Sequence, residues 1–363
     1  MIMATPSLPT SANELQNNLK QIEEHMRTLQ RVTQTRYPVG QTPKEVIWTL
    51  NKAKLYHYIP VVPAEQRHRI PLLLVFAIMN KPTILDLRPG NSFVEYMVKQ
   101  GYDVYLLDWG APGPEDKNIT FDDYAMEYLP RAIRKLKAVS AVDEFSILGW
   151  CLGALISTIY GALRPDDGLK NLILLTAPLD FSDKQAGGFM RWTNDQNFNA
   201  EKIVAAYGNM PGDLIDYGAK ALKPVENYIG TYLNLWDNLD NPKVVEAWHA
   251  MNTWVNDLID MAGAAYQQLI TQFYRENRLM NGTLMIRGEH VDLGHVRANL
   301  LNMIALADHI TPVCQSENAM PKFGSPDKQL IKVQGGHIGM MAGSGALKRT
   351  WPQIDGWLGP RSN

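Results

Sequence analysis

Cys151 lies between two glycines in the segment GWCLG (149–153), directly after a short apolar run. A glycine two positions before and after a nucleophile is typical of the nucleophile elbow, a strained turn between a strand and a helix. The glycines let strand and helix pass closely, and the helix N-terminus favours a thiolate. We therefore interpret Cys151 as a nucleophile, with a small core residue as the alternative.

A nucleophile of this kind needs a base, and the base needs an acid that orients it. In chains with this elbow the acid comes next and the histidine last. His337 follows an apolar run in VQGGHIGM, and Asp308 ends the run NMIALAD, so we predict these two residues as base and acid. His309 is the competing base, although its position beside Asp308 should point its ring away from that carboxylate. Asp180, at the end of LLTAPLD, is the competing acid.

Attack on a carbonyl also requires hydrogen-bond donors for the developing oxyanion. The backbone amide of Leu152, immediately after the nucleophile, is the first predicted donor. The second should come from the loop AIMNKP, where Met79 is our choice. Asn80 is the next choice and a candidate substrate contact.

Alternation of short apolar runs with amphipathic stretches predicts the scaffold that positions these residues. The predicted strands lie within 71–79, 103–109, 144–150, 169–178, 298–308 and 328–336, and the helices within 91–100, 121–139, 152–163 and 344–358. This order predicts an α/β fold with a mainly parallel sheet covered on both faces, and with the elbow it indicates an α/β-hydrolase fold.

Composition changes along the chain predict four segments. Residues 181–290 lack strand-like runs and are rich in aromatic residues, methionine and asparagine, so we interpret them as a helical cap inserted into the core. The predicted segments are an N-terminal helix and linker (1–38), the first part of the core (39–180), the cap (181–290) and the second part of the core (291–363).

The N-terminal segment carries a narrow apolar seam after a capping-box pattern formed by Ser11 and Glu14. The seam residues, at alternating spacings of four and three, are Leu15, Leu19, Ile22, Met26 and Leu29. Such a seam has the periodicity of a coiled coil. The helix either docks on its own protein or pairs with a partner chain.

The composition excludes several classes of function. The 363 residues carry a net charge of −2, without a basic cluster, so no nucleic-acid partner is expected. Only two cysteines are present, which argues against a disulfide framework and for a reducing compartment. The beginning of the chain lacks a signal-peptide pattern, so a cytoplasmic location is expected. The remaining histidines share no ligand spacing, and neither a metal nor a cofactor is predicted.

Several ordered segments resemble polyhydroxyalkanoate synthases, and in particular their short catalytic subunits that work with a second protein. The resemblance begins near VGQTPKEVIW (39–48) and is carried by LGWCLGA, GNMPGDLIDYGAKALKP, FYRENRLMNG, VDLGHVRANLLNMIALADHITP and GGHIGM. The family's elbow ends in two glycines, whereas this chain has Ala154 at the last position. The methyl group of Ala154 adds bulk where helix and strand pack, but the replacement removes no functional group.

The resemblance implies polymerisation of (R)-3-hydroxyacyl-CoA, mostly 3-hydroxybutyryl-CoA, into a polyester with release of CoA. It implies Cys151 as the nucleophile that holds the acyl chain as a thioester, and His337 as its base. Asp308 would activate the 3-hydroxyl of the substrate, orient the histidine, or both, and His309 would contact substrate. The expected partners are the growing polyester and a PhaE- or PhaR-like second subunit, in a homodimer or hetero-oligomer at the surface of polyester granules.

Two alternatives stay open at this stage. A cysteine-dependent hydrolase of esters or thioesters would use the same residues on the same fold. A catalytically silent granule-coating subunit is the third hypothesis, although the order Cys151, Asp308, His337 speaks against it. A cysteine nucleophile favours acyl transfer, because its attack on a thioester replaces one thioester with another. The acyl group on the cysteine then remains reactive towards a hydroxyl.

Overall fold

The structure is a computed structural model that describes residues 12–363, so Ser11 of the predicted capping box lies outside the described residues. Its strands are β1 (Lys44–Leu50), β2 (Ala53–Tyr58), β3 (Leu72–Val75), β4 (Val104–Asp108), β5 (Phe145–Trp150), β6 (Leu169–Leu175), β7 (Met285–Ile286), β8 (Glu289–His290), β9 (Asn299–Ala305) and β10 (Lys328–Val333). Eight of them form one sheet in the order β1-β2-β4-β3-β5-β6-β9-β10.

In this sheet β3, β4, β5, β6, β9 and β10 run parallel to one another, whereas β1 pairs antiparallel with β2 and β2 pairs antiparallel with β4. The six predicted strands are all present, and the predicted α/β-hydrolase fold with a mainly parallel sheet is confirmed. The hairpin of β1 and β2 was not predicted. A bulge between Val46 and Trp48 interrupts the alternation that would have indicated a strand. Its turn holds Asn51 at a φ of 51°, a conformation that asparagine tolerates.

Helices fill the intervals between strands and cover the sheet. They are α1 (Ala12–Gln34), α2 (Phe93–Lys99), α3 (Phe121–Asp123), α4 (Leu129–Ser140), α5 (Leu152–Leu163), α6 (Gly187–Thr193), α7 (Ala200–Tyr207), α8 (Gly212–Ala221), α9 (Thr231–Trp236), α10 (Pro242–Val255), α11 (Gly263–Gln268), α12 (Val313–Glu317), α13 (Gly339–Ala342) and α14 (Trp351–Leu358). Wider helical turns adjoin α4, α9, α11 and α14, at Tyr124–Tyr128, Glu226–Gly230, Leu269–Arg275 and Ala346–Thr350. Short 3₁₀ turns lie at Ala64–Gln66, Pro82–Asp86, Pro114–Asp116, Leu293–His295, Met320–Lys322 and Gly359–Arg361.

The centre of the sheet is the most deeply buried part of the protein. Every residue of β3 and of β5 is buried, as expected for parallel strands covered on both faces. Helix α5 packs on β5 and β6, and its residues 152–162 are all buried. The turn between β5 and α5, which holds Cys151, is therefore anchored on both sides by the core.

The interval between β6 and β7 is mainly helical and contains α6 to α11. One detail differs from the prediction of no strands within 181–290. Strands β7 and β8 form a two-residue antiparallel ladder, joined by Arg287 and Gly288, whose φ angles are 46° and 80°. Two residues a strand are too few for an alternating pattern, which is why the sequence did not indicate this hairpin.

Helix α1 docks on its own protein at one end, and its pairing with a partner chain stays a prediction. Towards its C-terminal end, Val32 is fully buried against Leu235, Leu239 and Val245 of the cap, and Leu29 packs against the same cluster. The earlier seam residues remain 49–53% exposed, namely Leu15, Leu19, Ile22 and Met26. Among residues 12–363, no helix combines the length and apolar character needed to cross a membrane.

Candidate active site

Cys151 sits in the strained turn that its sequence pattern predicts. Its φ and ψ are 57° and −125°, and its amide donates a hydrogen bond to the carbonyl oxygen of Leu175, 3.0 Å away. A residue with a β-carbon in such a conformation carries a strain of about 1–3 kcal/mol, which the surrounding structure must offset. The bond to β6 and the burial of α5 supply that support, so the side chain of Cys151 is held at the end of the sheet.

The two glycines of the elbow are required by direct contacts. A β-carbon on Gly149 would lie 2.6 Å from the Cα of Ala154, and one on Gly153 would lie 2.1 Å from the carbonyl oxygen of Val75. Both distances are below any real carbon contact, so strand and helix pass as closely as predicted. Ala154, which replaces the glycine expected from the resemblance, is completely buried and its methyl is accommodated in the core.

His337 and Asp308 form a buried pair. Nδ1 of His337 lies 2.7 Å from Oδ2 of Asp308, and both side chains are almost entirely shielded from solvent. The other carboxylate oxygen, Oδ1, accepts hydrogen bonds from the amides of Ile310 and Thr311, each at 2.8 Å. These amides fix the direction of the carboxylate, and the carboxylate in turn fixes the histidine ring.

The surroundings of His337 favour the protonated imidazole. Burial alone lowers its pKa, but the Asp308 carboxylate and the neighbouring Cys151 side chain outweigh that effect and raise the pKa to about 10. The indole of Trp150 lies tilted by 31° beside the imidazole, with the ring centroids 6.1 Å apart. The structure thus brings Cys151, His337 and Asp308 together.

The rival residues have other environments. The Asp180 carboxylate accepts hydrogen bonds from the side-chain amides of Asn277 and Asn318, at 2.9 and 2.8 Å, and it joins core and cap instead of contacting His337. His309 is partly buried, and burial, with a smaller effect of Lys223, lowers its pKa. Its Nδ1 has no hydrogen-bond partner within residues 12–363.

A cavity of about 470 Å³ lies between the core and the cap. We call it the cap cavity. On the core side it is lined by four residues singled out from the sequence, which are Met79, Asn80, His309 and His337. Cys151 is partly exposed but does not belong to this lining, so the cavity meets the site on the histidine side. Asp216 and Lys220, which are charged, line the cap side and pair with each other at 2.7 Å.

The predicted oxyanion donors lie in adjacent segments. The carbonyl oxygens of Val75 and Phe76 abut Gly153, so the chain after β3 passes beside the first turn of α5. Leu152 begins that turn, and Met79 follows three residues after Phe76. Within the described chain no backbone oxygen accepts a hydrogen bond from either amide outside regular helix and strand pairing. Their role as oxyanion donors stays a prediction.

Aromatic cap residues divide into two groups. Trp248 and Trp254 line the cap cavity, and the indole of Trp254 donates a hydrogen bond to the carbonyl oxygen of Lys81 at 2.8 Å. A second group is 38–63% exposed and includes Trp192, Tyr207 and Trp236.

Sequence reasoning missed two further aromatic residues of the cavity lining, Tyr228 and Tyr232. Their spacing of four indicated a helix face but not the side on which the cavity lies. It also missed Tyr274, whose hydroxyl pKa is raised mainly by burial, with a smaller contribution from the Cys151 side chain.

In the part of the chain that the structure describes, no group of three histidine, cysteine, aspartate or glutamate side chains is arranged to hold a metal ion.

Comparisons with known proteins agree with this fold. The family model described as the alpha/beta hydrolase fold matches residues 83–344, and the model of the poly-beta-hydroxybutyrate polymerase (PhaC) N-terminus matches residues 6–97. A soluble variant of monoglyceride lipase from Saccharomyces cerevisiae superposes with a TM-score of 0.58 at 14% identity, over 90% of this chain and 98% of the lipase. Fold and elbow therefore define an α/β-hydrolase-type protein.

Two curated relatives narrow this class. The poly(3-hydroxyalkanoate) polymerase subunit PhaC of Allochromatium vinosum is 34% identical over 89% of this chain and 90% of its own length. The subunit of the same name from Haloferax mediterranei is 36% identical over 89% of this chain, which spans 65% of that longer relative. The chain belongs to the PhaC family of poly(3-hydroxyalkanoate) polymerases.

Proposed function

We propose that the protein is an acyltransferase that polymerises (R)-3-hydroxyacyl-CoA, with 3-hydroxybutyryl-CoA as the main substrate, into polyhydroxyalkanoate. The observation that carries the proposal is the cysteine in the elbow beside a buried His337–Asp308 pair, in a chain of the PhaC family. The polymerase names of the relatives support the substrate class.

The first half-reaction loads the enzyme. The proton of the Cys151 thiol passes to His337, and the thiolate attacks the carbonyl carbon of the thioester. The amides of Leu152 and Met79 would stabilise the oxyanion. The bond to the CoA sulfur then breaks, and His337 returns the proton to the CoA thiolate. One thioester is exchanged for another, so the acyl-enzyme forms without an oxidant, a metal or any other co-reactant.

The second half-reaction extends the chain. The 3-hydroxyl of another acyl group attacks the Cys151 thioester, an ester bond forms and the Cys151 thiolate leaves. His337 accepts the hydroxyl proton and passes it back to the sulfur. His309 and Asn80 line the cap cavity next to His337, which supports a role in contacting the substrate.

Asp308 acts in this scheme through His337. One of its oxygens contacts the imidazole and the other accepts two backbone amides, and its side chain is shielded from solvent. This arrangement supports the orienting role over direct activation of the 3-hydroxyl, because the substrate would have to displace a bond already made.

A second subunit is the proposed partner of α1. The exposed stripe of Leu15, Leu19, Ile22 and Met26 has coiled-coil spacing, and the same helix is anchored on the cap by Val32. A PhaE- or PhaR-like helix that pairs with this stripe would form a hetero-oligomer, and growth of the polymer would place the complex at a granule surface.

The product separates this proposal from hydrolysis on the same fold. Purified protein is incubated with 3-hydroxybutyryl-CoA, with and without a co-expressed partner, while CoA release and polymer are followed together. We expect insoluble polyester, and intact-mass spectrometry should detect an acyl or oligomer adduct on Cys151. Free 3-hydroxybutyrate with no polymer would show a hydrolase instead.

A further inference from the structure

The cap carries an exposed apolar face on its helical segment 225–236. The face consists of six residues at spacings of three, one, three, one and three, which are Val225, Tyr228, Ile229, Tyr232, Leu233 and Trp236. We call this set the cap face. Each of its side chains is 39–65% exposed, whereas Leu235, on the other side of the same helix, is completely buried. An apolar stripe of this width normally packs on another surface.

The cap face is continuous with the cap cavity. Tyr228 and Tyr232 belong both to the exposed face and to the cavity lining, which also contains His337. The ring of Tyr232 contacts that of Trp248, another lining residue, edge-on with the centroids 5.4 Å apart. A flexible molecule that leaves the cavity on this side would therefore meet the cap face.

The residue types of the cap face indicate which molecule of the proposed reaction it can bind. Residues 225–236 contain no lysine or arginine and only one acid, Glu226, so they offer no countercharge for the phosphates of CoA. An aliphatic polyester is uncharged, and its ester carbonyls accept hydrogen bonds but donate none. Apolar side chains match its methylene and methyl groups, and the tyrosine hydroxyls can donate to its carbonyls.

We propose that the cap face binds the growing polyester where it leaves the cap cavity. The inference rests on the proposed function and adds the surface that holds the product. Binding there would keep the chain end near Cys151 between additions, since a tethered chain has a high effective concentration at the site.

The test uses the full chain with Ile229→Gln and Leu233→Gln, two cap-face positions that do not line the cavity. The matched control carries Val61→Gln and Val139→Gln, which are also exposed apolar residues outside the cavity lining. Each protein is mixed, without CoA thioester, with particles of amorphous poly(3-hydroxybutyrate), and bound protein is measured by sedimentation. The molar mass of each protein is measured by light scattering. The first turnover of each protein with 3-hydroxybutyryl-CoA is measured by CoA release.

We expect the cap-face variant to bind particles at least about tenfold more weakly than the parent, with unchanged molar mass and first turnover. The control variant should bind like the parent. Equal binding by both variants, no binding by the parent, or a change in molar mass that marks the face as a protein interface would overturn the inference. A parent that binds particles but never releases CoA would instead contradict the proposed function, so the two failures are distinguishable.

Discussion

Nδ1 of His337 and Oδ2 of Asp308 lie 2.7 Å apart in a pair shielded from solvent, and the second oxygen of Asp308 is held by two backbone amides. The carboxylate is thus directed by the backbone and directs the imidazole. Because this contact raises the pKa of His337, its removal has consequences that can be measured without an activity assay.

Asp308→Asn should lower the pKa of His337 from about 10 towards its ordinary value of 6.5, since the neutral amide no longer stabilises the imidazolium. NMR titration of histidine side chains measures the shift. Asp180→Asn serves as the control, because Asp180 bonds to Asn277 and Asn318 instead. If both variants titrated like the parent, the pair would have no electrostatic role.

The same pair should make stability depend on pH. The pKa of His337 is higher in the fold than its ordinary value, so protonated His337 stabilises the fold fully below about pH 6.5. That contribution declines as the pH rises and is lost above about pH 10. Denaturant unfolding at several pH values should show a shallower decline for Asp308→Asn than for the parent. Parallel curves would contradict this expectation.

Cys151→Ala should reduce CoA release by a factor on the order of 10³ or more, because it removes the proposed nucleophile. Cys314→Ala is the matched control, since Cys314 is the other cysteine and is also partly buried. Rates of CoA release and adduct mass are compared for both variants. Substantial turnover by Cys151→Ala would exclude covalent catalysis at this residue.

Gly153→Ala should destabilise the protein by about 1–3 kcal/mol, because the new β-carbon would overlap the carbonyl oxygen of Val75. Gly356→Ala, in α14, places a β-carbon where no atom lies within 4 Å and should be neutral or stabilising by up to about 1 kcal/mol. Urea unfolding compares the two. An equal change in the free energy of unfolding for both variants would mean that the close approach of Val75 does not restrict the residue at position 153.

Leu19→Gln with Met26→Gln should leave the free energy of unfolding within about 0.5 kcal/mol of the parent, since both side chains are about half exposed. The same change should weaken capture of a co-expressed PhaE- or PhaR-type subunit. Val32→Ala, at the fully buried end of α1, should instead cost about 1–3 kcal/mol. Unchanged capture by the glutamine variant would place the subunit interface elsewhere.

The sequence predicted the fold where the pattern of residues is set by burial. Long apolar runs identified the parallel strands, since β3 and β5 are covered on both faces. The hairpin of β1 and β2 was not predicted because β1 has no fully buried residue and is interrupted by a bulge. The division of α1 into a docked end and an exposed stripe depends on tertiary contacts with Leu235 and Val245, which no periodicity contains.

The candidate site was predictable to the extent that it follows chain order and turn chemistry. The elbow pattern, with Asp308 and His337 later in the chain, was enough to select the residues that the structure brings together. The tyrosines of the cap cavity were not identified, because an aromatic helix face looks the same in sequence whether it lines a cavity or fills a core. The hydrogen bonds from backbone amides to Asp308 could not be predicted either, since they depend on the backbone path of residues 308–311.

The φ of 57° at Cys151 has a consequence for the identity of the atom that it presents. Strain in this turn arises from the β-carbon, which cysteine and serine share, and the tight contacts of the elbow involve Gly149 and Gly153. The strain and the tight contacts of this turn therefore do not depend on whether residue 151 carries sulfur or oxygen. A single atom can therefore change the chemistry of the site while the scaffold stays the same.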